Sequence, residues 1–237
     1  QQAAPRGPIV LLDDCLTGYC EPNVNRSAVR VLERAGYEVH LAGLPCCGRA
    51  MISKGLLDEA QTLARENLER LRPWAERGVP IVGCEPSCLL TLVDEYPELV
   101  PGEVARQVAG LSRLVDTQLM QAGVVLELSP APAPVLIHGH CHRKALVGVA
   151  DTRAIIAQAA GAEPKVIDSG CCGMAGSFGY EHYDLSMKIG ERVLFPAVRA
   201  APQASIIAPG FSCRHQIEHG TGRRAQHPIE FLAERLK

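Results

Sequence analysis

The 237-residue sequence has no apolar run long enough to span a bilayer and no signal peptide. It has almost no net charge, −2 at pH 7. That removes the case for a nucleic-acid or anionic-membrane surface. It has a single tryptophan, Trp74, on a helical stretch, read as a core or interface residue. No Cys-x-x-Cys pair of the thioredoxin kind occurs, so thiol–disulfide exchange is the weaker use of its cysteines. The glycine-rich stretch 170–179 lacks the spacing of a dinucleotide fingerprint. No recognisable motif supplies a general acid–base pair for oxidising a hydroxyacid. The rest of the composition, 47% hydrophobic and 21% charged, is that of a globular protein. The length suits one large domain or two small ones. The chain opens Gln1-Gln2-Ala3 without methionine, which reads as a segment of a longer polypeptide. The expected location is cytoplasmic, with peripheral attachment at the inner face of the membrane as a variant.

Cysteine is what the sequence has in quantity: ten residues. They are not set in a small loop-rich scaffold, so a secreted disulfide framework is not the reading; metal or catalysis is. Around them, apolar runs alternate with helical periodicity. Pro8 to Leu12, Tyr37 to Ala42 and Pro80 to Val82 read as strands, with helices over 23–35 and 56–77. Residues 44–55 read as a loop. A short helix is expected near Ser87 and a long one from Glu103 to Ala122. After the proline-rich run Ser129 to Pro134, strands are expected at 134–138, 165–168 and 205–208, separated by helices. Alternating strands and helices imply parallel sheets covered on their faces.

The second set of elements repeats the first. Cys15 maps to Cys141 at an offset of 126, and Cys46-Cys47-Gly48 maps to Cys171-Cys172-Gly173 at 125. Cys88 maps to Cys213, again at 125. Pro8-Ile9-Val10-Leu11 matches Pro134-Val135-Leu136-Ile137, and Ala35-Gly36 matches Ala160-Gly161. The expected fold is therefore α/β: two pseudo-symmetric repeats, each a small parallel sheet flanked by helices. Residues 1–127 form the first repeat, 128–133 a linker and 134–237 the second. A pseudo-two-fold axis is expected to turn both cysteine edges towards a shared region.

In each repeat the cysteines follow strands, so they converge on the C-terminal edge of a parallel sheet. The glycine after each pair allows positive φ and a close approach to an inorganic core. Adjacent cysteines suit a multi-metal cluster better than one tetrahedral ion. The candidate ligands are Cys15, Cys46, Cys47 and Cys88 in the first repeat, with Cys84 as an extra one. In the second they are Cys141, Cys171, Cys172 and Cys213. Cys20 reads as dispensable. His138 and His142, which flank Cys141, read as outer hydrogen-bonding groups and not as ligands. Arg143, Lys144 and Arg214, beside candidate cysteines, read either as offsetting cluster charge or as facing solvent, with solvent the default. By count, four cysteines per repeat can hold one [4Fe–4S] cluster or one zinc ion.

The double Cys-Cys-Gly pattern, the run Cys171 to Gly179 and the closing His227-Pro228-Ile229-Glu230 resemble the cysteine-rich "CCG" domain family. That family includes the heterodisulfide reductase B subunit, the glycolate oxidase iron–sulfur subunit and the anaerobic glycerol-3-phosphate dehydrogenase C subunit. It also includes the C-terminal part of fused FAD and iron–sulfur D-2-hydroxyacid (D-lactate-type) dehydrogenases. The heterodisulfide reductase relative closes each repeat with Cys-x-x-Cys, giving five ligands for a noncubane cluster. Here the first repeat has Cys84-Glu85-Pro86-Ser87-Cys88, one residue longer, and the second has Gly210 where the first cysteine would stand. The resemblance implies an iron–sulfur electron-transfer module relaying electrons from reduced FAD on a partner domain or subunit to a further acceptor. A ferredoxin-like iron–sulfur domain and quinone are the other implied partners. The alternatives are a zinc-stabilised docking module and a thiol–disulfide module.

Overall fold

The computed structural model describes residues 5–131, 133–161 and 163–237; Gln1, Gln2, Ala3 and Pro132 of the proline-rich run lie outside them. The chain divides into two units, meeting at Val124 and Val125. The first contains β1 (Gly7–Leu12), a π-helical turn (Leu16–Cys20), α1 (Pro22–Arg34), β2 (Tyr37–Leu41), α2 (Arg49–Ser53), α3 (Leu57–Glu76) and β3 (Ile81–Gly83). It continues with α4 (Pro86–Val93), α5 (Glu95–Leu99), α6 (Glu103–Leu111), β4 (Ser112–Leu114) and α7 (Val115–Gln121). The second contains β5 (Val135–Ile137), α8 (Cys141–Leu146), α9 (Ala150–Ala157), β6 (Lys165–Val166), α10 (Phe178–Glu181) and α11 (Tyr183–Glu191). It ends with α12 (Leu194–Arg199), β7 (Ser205–Ile207), α13 (Phe211–Thr221) and α14 (Pro228–Ala233).

Both sheets are parallel, in the orders β2-β1-β3-β4 and β6-β5-β7. The strands at equivalent places in the repeat thus take the same order, with β1 and β5 central. Ile9 to Leu12 are all buried, as a strand covered on both faces requires. Helix α3, which buries Ala60, Ala64, Leu68 and Leu71, shares a core with Val10 and Leu12, and α1, which buries Val24, Ala28, Val31 and Leu32, lies beside β2. Helix α1 starts on Pro22 and closes ahead of Gly36, whose φ is 95°.

Two stretches differ from the sequence reading. The expected loop 44–55 contains the short helix α2. The expected single helix 103–122 is interrupted by β4, which pairs Ser112 with Ile81 and Leu114 with Gly83. Its apolar spacing is helical, but β3 offers an open edge, and three extended residues satisfy its backbone groups. In the second unit, Leu128 bridges Leu236 antiparallel, and the Ser129 N–H donates to the Arg235 carbonyl at 2.8 Å. His227-Pro228-Ile229-Glu230 is a helix start: the Ile229 N–H donates to His227 Nδ1, and the His227 N–H donates to Glu230 Oε2. Trp74 packs against the first core beside His40. No helix among the described residues is long and apolar enough to cross a membrane.

The core of the second unit closes around Phe195, which is fully buried. A Cβ at Gly190 or at Gly220 would come within 2.3 Å of its ring. Gly190→Ala is therefore expected to cost about 1–3 kcal/mol by overpacking. Gly110, in the last turn of α6, faces open space, so Gly110→Ala is expected to add up to about 1 kcal/mol. Urea denaturation of the full chain checks both; a Gly190→Ala chain as stable as its parent removes the packing account.

Candidate metal centres

In a parallel sheet every strand ends on the same edge. β1, β2 and β3 therefore bring Cys15, the Cys46–Cys47 pair and Cys84 with Cys88 to one edge of the first unit. β5, β6 and β7 bring Cys141, the Cys171–Cys172 pair and Cys213 to one edge of the second. In the first unit the sulfurs form a continuous chain of contacts: Cys15 with Cys88, Cys88 with Cys47, and Cys47 with Cys46. In the second the chain runs Cys141, Cys171, Cys172, Cys213. All ten cysteines are free thiols. Cys47, Cys88, Cys172 and Cys213 are buried, whereas Cys15, Cys46, Cys141 and Cys171 are half-buried. Cys84 follows β3 directly and is buried; Cys20, at the end of the π-helical turn, is exposed.

Within each set, cysteines drawn down and cysteines pushed up alternate along the chain of contacts. Hydrogen bonds from Cys46 and Cys88 hold the Cys47 thiol well below the ordinary range; the bond to Cys47 pushes Cys46 up, and Cys88 is raised first by its bond to Cys15 and then by its bond to Cys47. The bond from Cys88 draws Cys15 down to about 7. In the second unit, bonds from Cys141 and Cys172 draw Cys171 down to about 2. Cys213 is lowered first by its bond from Cys172, then by the charges of His138 and His140. Cys141 and Cys172, the donors, are raised. A metal does for such a set what the shared protons do here: it holds several thiolates at close range.

The Cys-Cys-Gly turn has one geometry in both units. Gly48 (φ 84°) donates its N–H to Cys46 Sγ at 3.4 Å, and Gly173 (φ 99°) donates to Cys171 Sγ at 3.3 Å. Both glycines sit in the left-handed region, where a side chain is strained. At Gly173 a Cβ would also lie 2.3 Å from the Ser186 carbonyl oxygen. The supports differ between the units. Asn67 of α3 donates to the Cys46 carbonyl at 2.7 Å, and Tyr96 of α5 donates to the Cys47 carbonyl at 3.0 Å. In the second unit Gln216 of α13 donates to Ser186 Oγ at 2.9 Å, beside the turn.

The charge around the two sets also differs. In the first unit, Asp14 and Glu85 are buried next to the cysteines. Asp14 accepts from the Leu16 and Thr17 N–H groups and from the Thr17 hydroxyl, which holds the loop carrying Cys15. Burial pushes its carboxyl up to about 6, and the charges of Glu85 and Cys47 act the same way. Glu85 caps α4 by accepting from the Ser87 N–H. In the second unit the buried neighbours are His138, His140, Arg143 and Arg214. The expectation of solvent-facing arginines is corrected. Arg143 is 1% exposed and donates to the Gly148 carbonyl; Arg214 is 4% exposed and donates to the Ala208 and Pro209 carbonyls. Lys144 donates to the Ser169 and Gly170 carbonyls. Buried guanidinium groups favour an anionic occupant.

The sequence reading passed over Asp14, Glu85, Asn67 and Tyr96. The first two were visible as acidic neighbours of Cys15 and Cys84; nothing local marked the other two. His138, expected outside the ligand set, has its ring within 4.8 Å of both the Cys172 and Cys213 sulfurs. Gly210, one residue before α13, lies against the His140 ring, where a Cβ would meet Cδ2 at 2.4 Å.

The comparisons agree with this two-fold arrangement. The chain is 31% identical over 242 residues to the C subunit of the anaerobic glycerol-3-phosphate dehydrogenase of Escherichia coli strain K12, covering 100% of this chain and 61% of that protein. It is 30% identical over 230 residues to the D-2-hydroxyglutarate dehydrogenase of Pantoea ananatis, covering 95% of this chain and 22% of the relative. It is 24% identical over 254 residues to the glycolate oxidase iron-sulfur subunit of Escherichia coli K12, again covering 100% and 61%. The chain thus spans less than two thirds of the length of these relatives. The profile of the cysteine-rich CCG domain matches twice, over residues 9–93 and 135–218, and the chain belongs to that family.

Proposed function

We propose that this chain is the iron–sulfur electron-transfer module of a flavin-dependent dehydrogenase of the 2-hydroxyacid type. In this reading it relays electrons from reduced FAD on a partner domain or subunit to a further acceptor. The observation that carries it is the convergence of four cysteines in contact at the C-terminal sheet edge of each unit. The names of the relatives support it: one is an iron-sulfur subunit and the others are dehydrogenase proteins.

The residues fit the group. Each set offers four sulfurs, two of them already drawn towards thiolate, and a glycine N–H aimed at one sulfur. Cys15, Cys46, Cys47 and Cys88 would hold one cluster, with Cys84 an additional donor; Cys141, Cys171, Cys172 and Cys213 would hold another. A [4Fe–4S] cluster is the first choice by count. When bound, it supplies one-electron chemistry at a potential set by hydrogen bonds, charge and burial. The protein's own work is to exclude water through the buried cysteines, to orient the sulfurs through Gly48 and Gly173, and to set the local field. That field is acidic at the first set and basic at the second, so two clusters here would differ in potential, the second higher. In this reading a ferredoxin-like iron–sulfur domain is a further partner and quinone the acceptor, with the module in the cytoplasm or peripheral at the inner face of the membrane.

Two tests follow. Alanine at Cys47 or Cys172 is expected to remove the metal of its own unit, about half the iron of anaerobically purified protein, whereas Cys20→Ala keeps it all. Iron and zinc analysis with visible absorbance reads this out; a full complement of zinc with no iron supports the docking module instead. In the complete dehydrogenase, Cys47→Ala and Cys172→Ala are expected to leave flavin reduction by substrate intact and to slow flavin reoxidation. Stopped-flow absorbance separates the two half-reactions. Loss of flavin reduction with normal reoxidation in a folded, flavin-loaded variant rejects the relay.

A further inference from the structure

The second unit contains a fifth donor that the cysteine pattern does not announce. His138 follows the last residue of β5, the central strand, and its N–H donates to the Ile207 carbonyl at 2.8 Å, extending the ladder with β7. That places its side chain at the middle of the sheet edge, where the loops carrying the cysteines converge. The residue is 0% exposed. Its Nδ1 lies 2.8 Å from Ser169 Oγ, a hydroxyl that is itself buried. Its Nε2 is buried and has no hydrogen-bond partner of ordinary geometry, while the ring draws down the neighbouring Cys213 thiol. The imidazole stands within 4.8 Å of Cys172 Sγ and Cys213 Sγ, and those two sulfurs lie equally close to each other.

A buried ring nitrogen without a partner of ordinary geometry is costly and calls for an explanation. The repeat makes the cost avoidable. At the offset of 126 the equivalent of His138 is Leu12, a core residue that is 1% exposed. An apolar side chain is therefore accommodated at this position of the fold, yet the second unit has an imidazole there. Ser169 engages Nδ1, which leaves Nε2 as the ring nitrogen available to a metal held by the two sulfurs. This is how a metal-binding histidine is ordinarily held: one nitrogen donates to a neighbour and the other offers its lone pair.

We infer that His138 Nε2 is a metal ligand of the second unit, joining Cys172 and Cys213, with Nδ1–H donating to Ser169 Oγ. The inference rests on the proposed iron–sulfur reading only for the identity of the metal. The ligand set becomes four sulfurs and one nitrogen, and the first unit, with Leu12, has no counterpart. Replacing a thiolate-type donor by a neutral imidazole lowers the negative charge of the centre and raises its reduction potential.

The test uses the full chain with ¹⁵N-labelled histidine, reconstituted anaerobically with ferrous iron and sulfide. Pulsed electron paramagnetic resonance of the paramagnetic state is expected to show a strongly coupled nitrogen that shifts with the label. The signal is expected to vanish in His138→Ala. His138→Cys is expected to retain the iron, lose the nitrogen and have a lower potential than the parent. Iron-loaded wild-type chain without a directly coupled histidine nitrogen overturns the inference while leaving the proposed function intact. A chain that takes up no iron overturns the proposed function instead. The inference is then read from the same chain loaded with Zn²⁺, by X-ray absorption at the zinc edge: a histidine contribution lost in His138→Ala supports it, and an unchanged sulfur shell overturns it.

Discussion

Thiols do not gather by their own attraction. An S–H is a weak donor and a sulfur a weak acceptor, so four of them in a buried cluster hold together poorly unless something replaces their protons. Each unit of this chain nevertheless brings four into contact from three separate strand ends. The parallel sheet is what makes that possible, since it puts every strand's C-terminus on one edge. The central strand of each sheet, the helices that cover it and the glycine turn after each cysteine pair all serve to hold that edge in place.

The two edges are built alike in backbone and differently in field. Gly48 and Gly173 repeat the same turn and the same N–H to sulfur contact. Around that common frame, Asp14 and Glu85 give the first set a buried acidic neighbourhood, whereas His138, His140, Arg143 and Arg214 give the second a basic one. A duplicated fold with divided electrostatics gives any centres held at the two edges different surroundings. Equal sites would have equal potentials, and neighbouring charge is among the main levers on potential.

How much of this was legible in the sequence depends on how far apart the interacting residues lie. Strands β1, β2 and β3, helices α1 and α3, and the position of every candidate cysteine follow from local apolar periodicity and from the 125–126 residue offset. The strand β4 did not. Its three residues sit in a stretch with helical spacing, and only the open edge of β3, some thirty residues earlier, makes the extended form favourable. Arg143 and Arg214 were read as solvent-facing because charged residues beside a loop usually are. Their carbonyl partners come from nearby turns whose shape the sequence does not display.

The sequence by itself determined the duplication, the α/β class and the chain positions of the candidate sulfur ligands. A repeat is a comparison of the chain with itself, and a strand or helix is a matter of neighbours within a few turns. Only the tertiary structure decided which sulfurs touch, which cations and carboxyls are buried beside them, and that the buried His138 ring stands within 4.8 Å of the Cys172 and Cys213 sulfurs. Those relations join residues 31 to 75 positions apart in the second unit. They exist only because the central strand β5 is hydrogen-bonded on both sides, which brings the ends of β6 and β7 to the same edge.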